Sequence, residues 1–274
     1  MMNRLLHNGE FETDSILLSP SCNGFRYGLG LFETMRVSQG LLRLADLHYN
    51  RLMSGIALLQ VKPPQNWTFE YFAAQVSRLS ALFPSVDELR VRLNMFSPST
   101  SFPGDSETLE WIMQASPLSK DYLNYNIDGL HICTFHDGLK STGAFSNLKS
   151  NNYLLSVLAA KHARKNQCHD AILLNSLGRV AETSVANLFA VFNNTIVTPP
   201  LSEGPVDGVM RKHLIDHANQ LGIQVQEAML SITDLENAQE IFLTNALYGI
   251  RWVEVLNMSK YGNKISSSLY QQLF

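Results

Sequence analysis

Residues 89–95 read Leu-Arg-Val-Arg-Leu-Asn-Met, and this strict alternation constrains the chain more than any other stretch. Successive side chains of a strand point to opposite faces, so Leu89, Val91, Leu93 and Met95 turn toward a core while Arg90, Arg92 and Asn94 turn away from it. The alternation predicts a half-buried strand. Neighbouring segments supply partners for it: 31–37 (LFETMRV) is rich in β-forming residues, Ser38-Gln39-Gly40 makes a turn into Leu41-Leu42-Arg43-Leu44, and 109–115 (LEWIMQA) is a further strand. The 97–107 stretch between them is polar and reads as a turn. Asp46 is placed to cap a helix carrying Leu52, Ile56 and Leu59 on one face, and a second helix from about Thr68 repeats the stripe at Phe72, Val76, Leu79 and Phe83. The first half is therefore an α+β unit built on hairpins.

After Pro117-Leu118-Ser119-Lys120 the pattern changes to strands such as 171–175 and 188–192 alternating with helices near 151–166 and 209–221. Asn193-Asn194 reads as a tight hairpin turn, Thr233 with Glu236 as a capping box, and 239–244 and 250–256 as closing strands. The expectation is a mixed α/β chain of two domains, a smaller α+β domain over 1–116 and a larger α/β domain over 117–274. A cleft between two such domains is a common place for a ligand.

The 274 residues, 45% of them apolar, suffice for two cores. With 21 basic and 24 acidic residues scattered along the chain, no block is set to grip nucleic acid or a membrane surface, and a small molecule is the expected partner. Cys22, Cys133 and Cys168 are odd in number and far apart, which suggests neither a disulfide framework nor zinc ligands. The opening residues lack the apolar run of a signal peptide and no later stretch is long enough for a transmembrane helix, so a cytoplasmic location is expected.

The sharpest local feature is Val206-Asp207-Gly208-Val209-Met210-Arg211, which opens an amphipathic helix bearing Leu214, Ile215, Ala218 and Leu221. Asp207 is a natural N-cap. Gly208 would let an anion approach the free N–H groups of the first turn, although an Asp-Gly pair can equally do no more than start a helix. Gly28-Leu29-Gly30 resembles part of a dinucleotide fingerprint, but it runs into a strand instead of a helix, which removes the pyrophosphate geometry. His213 and His217 are four apart on a helix without a carboxylate in zincin spacing, and they read as surface histidines, so no metal is expected. Taken singly, Lys149 is an ordinary solvated lysine and Glu182 a turn carboxylate.

Their joint order changes that reading. Tyr27-Gly28-Leu29-Gly30-Leu31-Phe32-Glu33-Thr34, His48-Tyr49-Asn50-Arg51-Leu52, Lys149-Ser150-Asn151-Asn152-Tyr153-Leu154, Glu182-Thr183-Ser184 with Asn187-Leu188-Phe189, Thr198-Pro199-Pro200, Gly208-Val209-Met210-Arg211 and Thr244-Asn245-Ala246-Leu247 follow one another over about residues 24 to 256. In order and spacing they resemble the class IV aminotransferase and aminodeoxychorismate lyase family of pyridoxal 5'-phosphate (PLP) enzymes. The resemblance implies the two-domain fold type IV of branched-chain and D-amino-acid aminotransferases, a homodimer, and PLP held between the domains.

By the same resemblance Lys149 is the Schiff-base lysine and proton shuttle, and Glu182 pairs with the pyridine nitrogen so that the ring can absorb carbanion charge. Arg51 pairs with the phosphate, joined by the backbone N–H groups of Val209 and Met210 after Gly208, with Asn245 and Ala246 from the later block. Tyr153 stands against the ring oxygen. Tyr27, Phe32 and Arg92 face a small-molecule amine substrate, Arg92 as the carboxylate partner. Branched-chain enzymes usually carry threonines where this chain has Met210 and Ala246, and the absence of both hydroxyls resembles the lyases, which release 4-aminobenzoate and pyruvate. Transamination of branched-chain or D-amino acids is the alternative, and a catalytically silent PLP-binding homologue a further one.

Overall fold

The computed structural model describes residues 4–13, 15–101, 107–220 and 222–273. The chain divides into two compact units, Met1–Leu123 with Leu148–Asn152 and Asn124–Asn147 with Tyr153–Phe274. Position 117, where the sequence reading places the change of domain, is the last residue of a strand in the first unit.

In the first unit the elements are β1 (Arg4–His7), β2 (Glu10–Thr13), α1 (Asn23–Tyr27), β3 (Gly30–Ser38), β4 (Leu41–Leu42), α2 (Ala45–Leu58), α3 (Phe69–Ser80), β5 (Glu88–Phe96) and β6 (Glu110–Pro117). The strands form a six-stranded antiparallel sheet in the order β2-β1-β6-β5-β3-β4. The alternation in β5 is realised as expected: Leu89, Val91, Leu93 and Met95 are buried, in one core with Leu52 and Ile56 of α2, Phe72, Val76 and Leu79 of α3, and Trp111 of β6. Burial of each such aliphatic side chain contributes on the order of 1.5–3 kcal/mol. Gln39 and Gly40, at φ 49° and 78°, make the two-residue turn that pairs Ser38 with Leu41.

Two expectations shift here. β4 ends at Leu42, and Leu44 in a left-handed conformation (φ 54°) occupies the N-cap of α2. Asp46 thus lies inside the first turn, where a carboxylate still complements the helix dipole without capping. α3 starts where expected, with the Thr68 hydroxyl accepting from the Tyr71 N–H at 3.2 Å, but it stops at Ser80 and leaves Phe83 beyond it. Of the expected 97–107 turn, residues 102–106 lie outside the described residues.

The second unit holds β7 (Leu130–Lys140), α4 (Leu154–Lys165), β8 (Asp170–Asn175), β9 (Val180–Thr183), β10 (Asn187–Phe192), β11 (Thr195–Thr198), α5 (Val209–Gln220), β12 (Val225–Glu227), α6 (Ile232–Glu236), β13 (Glu240–Asn245), β14 (Gly249–Leu256), β15 (Ser259–Lys260) and α7 (Lys264–Leu273). Its nine-stranded sheet runs β12-β11-β10-β13-β14-β7-β8-β9, with β15 on β14. β7 lies parallel to both β8 and β14, and β8 is buried along its whole length, as parallel strands covered on both faces are. Phe189 and Phe242 stack at 5.0 Å in a core with Leu214 of α5 and Leu269 of α7.

Asn193 and Asn194, at φ 48° and 66°, form the expected β10–β11 turn. The capping box is Ser231 with Asp234, not Thr233 with Glu236: α6 begins two residues earlier, so Thr233 is already helical. α5 buries Leu214 and Ala218 as expected, while Leu221 lies outside the described residues. The Lys212 N–H donates to the Gly208 carbonyl, which puts Gly208 and not Asp207 at the start of the helical ladder. Among the described residues no helix is long and apolar enough to cross a membrane.

Candidate active site

In the first unit the segment that carries Lys149 is docked along the edge of β3. Phe32 N–H donates to the Lys149 carbonyl at 2.9 Å and Asn151 N–H to the Gly30 carbonyl at 3.0 Å, while Leu148 packs on the core. The Asn151 side chain donates to the Met95 carbonyl at 3.0 Å and that of Asn152 to the Gly28 carbonyl at 3.3 Å. The two glycines that mimic a dinucleotide fingerprint thereby acquire a different use. Gly28 closes α1 at φ 65°, and a Cβ on Gly30 would stand 2.1 Å from the Met95 carbonyl oxygen and 2.5 Å from the Asn151 amide.

The Lys149 Nζ lies 4.5 Å from the centre of the Phe32 ring, and the Arg92 guanidinium carbon 3.8 Å from the same ring. Cations are attracted to an aromatic face, so Phe32 holds both in one neighbourhood. Arg92 is further fixed by donation from Nε to the Asn94 carboxamide at 3.2 Å. Phe32 is buried, whereas Tyr27, at the end of α1, is half exposed.

Arg51 of α2 meets Glu33 of β3 through two hydrogen bonds, Nε to Oε1 at 2.7 Å and Nη2 to Oε2 at 2.5 Å. His48, one turn earlier on α2, reaches Glu33 Oε2 through Nδ1 at 2.6 Å. Burial pushes the Glu33 carboxyl up, but the charge of Arg51 and then the contact with His48 outweigh it and hold the group at about 2. Burial lowers the proton affinity of the His48 ring against the opposite pull of Glu33. The neutral ring therefore uses its Nδ1–H as donor to the carboxylate. The sequence places Glu33 and His48 in the blocks that carry the resemblance but assigns neither of them a role. A carboxylate among Leu31, Met35 and Val37 on the core face of a strand was the available signal, since such a group needs a buried partner.

In the second unit Glu182, near the end of β9, is buried with one carboxylate oxygen paired to Lys140 and the other accepting the Val206 N–H at 2.9 Å. The loop that presents Val206 is tied down on several sides. The Asn147 carboxamide donates to the Leu201 and Pro205 carbonyls at 2.8 and 2.6 Å, and Arg179 grips Glu203 at 2.6 and 2.9 Å. That loop leads to Gly208, where a Cβ would lie 1.8 Å from the Asn187 Oδ1, so that any other residue would have to displace the Asn187 carboxamide. Val209 and Met210 then open α5 with buried side chains, and the N–H groups of this first turn have no partner in the helical ladder.

Tyr153 stands at the N-cap of α4 and donates its hydroxyl to the Ser184 carbonyl at 3.0 Å. The Asp170 carboxylate underpins the same turn, accepting from the Thr183 and Ser184 hydroxyls at 2.7 and 2.5 Å. Asn245 closes β13 and accepts the Leu247 and Tyr248 N–H groups at 3.0 and 3.2 Å, leaving Ala246 inside the turn they define. Lys140 escaped the sequence reading because β7 carries no clean alternation. Among the described residues no group of three or more His, Cys, Asp or Glu could hold a metal ion.

A family model described as amino-transferase class IV matches residues 30–255. The aminodeoxychorismate lyase of Bacillus subtilis (strain 168) is 28% identical over 273 residues, covering 96% of this chain and 90% of that protein. A probable branched-chain-amino-acid aminotransferase of Thermotoga maritima is 39% identical over 255 residues, covering 90% and 83%. The crystal structure of the branched-chain aminotransferase from Thermoproteus uzoniensis with norvaline superposes at a TM-score of 0.89, with 22% identity and coverage of 100% of this chain and 94% of that one.

Proposed function

Because the chain belongs to the class IV aminotransferases and is a PLP-dependent enzyme of fold type IV, we propose that it is a 4-amino-4-deoxychorismate lyase, releasing 4-aminobenzoate and pyruvate. The observation that carries this reading is the likeness to a lyase over nearly the whole of both chains. Met210 and Ala246 support it, since neither offers the hydroxyl that a threonine would bring to the start of α5 or to the turn after β13.

The residues present suit the cofactor. Glu182 is a buried carboxylate, and its two oxygens, each with more than one lone pair, can accept a third donor from a protonated ring nitrogen beside Lys140 and Val206. The first turn of α5, opened by a glycine whose Cβ position is already taken by Asn187, suits a phosphate. When bound, PLP supplies an electron sink for the charge left as the substrate loses a proton.

Lys149 would hold the cofactor through Nζ, and the same nitrogen would take the ring proton of the substrate. The electron pair left on the ring would form its last double bond as the carbon–oxygen bond to the enolpyruvyl group breaks, and the enolpyruvate expelled would take up a proton to become pyruvate. Arg51, held in its orientation by Glu33, binds the phosphate together with the N–H groups of Val209 and Met210. Arg92 receives a substrate carboxylate, with Phe32 and Tyr27 beside it, and Tyr153, Asn245 and Ala246 complete the cofactor's surroundings. We place the enzyme in the cytoplasm, serving folate synthesis, as a homodimer. Leu154, Val157 and Leu158 support the dimer, because these exposed apolar side chains share one face of α4.

The test is to offer aminodeoxychorismate to the PLP-loaded protein with no 2-oxo acid present and to follow 4-aminobenzoate and pyruvate. Formation of both supports the lyase. Turnover only of an amino acid with a 2-oxo acid would replace it by transamination, the reading favoured by the 39% identity to the Thermotoga protein. Borohydride reduction followed by peptide mapping should find the cofactor on Lys149.

A further inference from the structure

We propose that Lys140 is a positioning residue for Glu182: it holds that carboxylate ionised and aimed, so that the ring nitrogen of the bound cofactor, and not Glu182, carries the proton they share. The inference rests on the assignment of Glu182 to the ring nitrogen.

Lys140 is the last residue of β7, and it reaches Glu182 because that strand breaks register. Phe135 pairs with Leu173 of β8, but the next pairing is Lys140 with Asn175, so the residues between them bulge out of the ladder. The bulge packs closely, since a Cβ on Gly138 would come within 2.6 Å of the Leu155 side chain. Leu173 is also the β8 partner of Glu182. The bulge and the β8–β9 pairing thus deliver a cation and an anion to one buried place, where their side chains retain 12% and 5% of their exposure.

The two contacts on Glu182 differ in kind. Val206 N–H is a neutral donor from a loop that Asn147, Asn175 and Glu203 fix in place, so it sets direction without supplying charge. Lys140 supplies the charge. A buried carboxylate stripped of its cation lowers its energy by taking a proton, and the nearest proton is the one on its partner nitrogen. With the ammonium in place the proton stays on the ring, which is the state that draws electrons most strongly.

The experiment uses PLP labelled with nitrogen-15 at the ring, bound to the wild-type protein and to the Lys140→Met and Lys140→Arg variants, with the ring-nitrogen resonance read at neutral pH. In wild type and Lys140→Arg it should lie at the protonated position. In Lys140→Met it should move more than half of the way to the unprotonated position, with the cofactor still fixed to Lys149 by borohydride. An unchanged resonance in Lys140→Met would overturn the proposal, as would a shift of equal size in Lys140→Arg. Should Lys140→Met fail to fold, Lys140→Gln, which keeps a donor and loses the charge, carries the same readout. Failure of the underlying assignment looks different: a Glu182→Gln variant would then leave the ring resonance where the wild type has it.

Discussion

Arg51 and Glu33 form a two-point pair inside the first unit, parallel hydrogen bonds of 2.7 and 2.5 Å that orient the guanidinium while His48 occupies the remaining side of the carboxylate. Because the Glu33 carboxyl is held at about 2 against an ordinary 4.5, it takes up protons more readily in the unfolded chain than in the folded one. Its contribution is therefore complete above pH 4.5 and is lost as the pH falls from there toward 2. The size is on the order of 3 kcal/mol. Urea unfolding of wild type and Glu33→Gln across this range should show a gap at neutral pH that closes on acidification. A gap of constant size would contradict the assignment.

At Gly30 the Lys149 segment, β3 and β5 leave no room for a side chain. Gly30→Ala places a methyl group against the Met95 carbonyl and the Asn151 amide, and backbone cannot rotate out of the way as a side-chain tip can. A loss of about 1–3 kcal/mol in unfolding free energy is expected. Borohydride trapping of the cofactor at position 149 should fall with it, because the hydrogen bonds that seat the segment are disturbed. Full trapping with unchanged stability would refute the point.

Gly208→Ala tests the helix start separately. The added methyl group would overlap the Asn187 carboxamide, which is held by its donation to the Val206 carbonyl at 2.9 Å. The variant should bind PLP more weakly while its affinity for pyridoxal, which lacks the phosphate, changes little. Equal weakening for the two compounds would show that the substitution acts on the unit as a whole and not on a phosphate seat.

Arg92→Gln removes a charge that the proposed reaction uses for a substrate carboxylate. Hydrogen bonds to charged groups contribute about 2 kcal/mol, so kcat/KM should drop by roughly thirtyfold, carried mainly by KM. PLP binding should be unaffected. Steady-state kinetics with the carboxylate substrate distinguish this from a loss confined to kcat, which would move Arg92 out of the substrate's reach.

Much of the fold was legible because it rests on short-range rules. The alternation of β5, the Thr68 cap and the Asn193-Asn194 turn each depend on a few neighbouring residues. β7 was not legible: its residues 130–140 pair in parallel with β14 and β8, distant in sequence, and its bulge blurs the period. The site divides along the same line. Lys149, Arg51 and Glu182 take their expected roles from motifs, whereas the roles of Glu33 and His48, which stand in the same motifs, and of Lys140, which stands in none, come from partners that only the folded chain brings near. The two helix starts departed for different reasons: at Ala45 the one capping-type residue nearby, Asp46, falls inside the first turn behind a left-handed Leu44, whereas before Ile232 both Ser231 and Thr233 were available and backbone geometry chose Ser231.

The seating of residues 148–152 on β3 sets an order of events during synthesis. These five residues complete the edge of a sheet whose other strands end at Pro117, yet they are made after β7 and before α4. On the ribosome that edge is therefore covered only by a stretch that emerges more than thirty residues after Pro117, with a long strand of the other unit already made. A chain cut between 123 and 148 leaves that edge uncovered, and dividing the chain at 123 separates the lysine from the sheet that seats it.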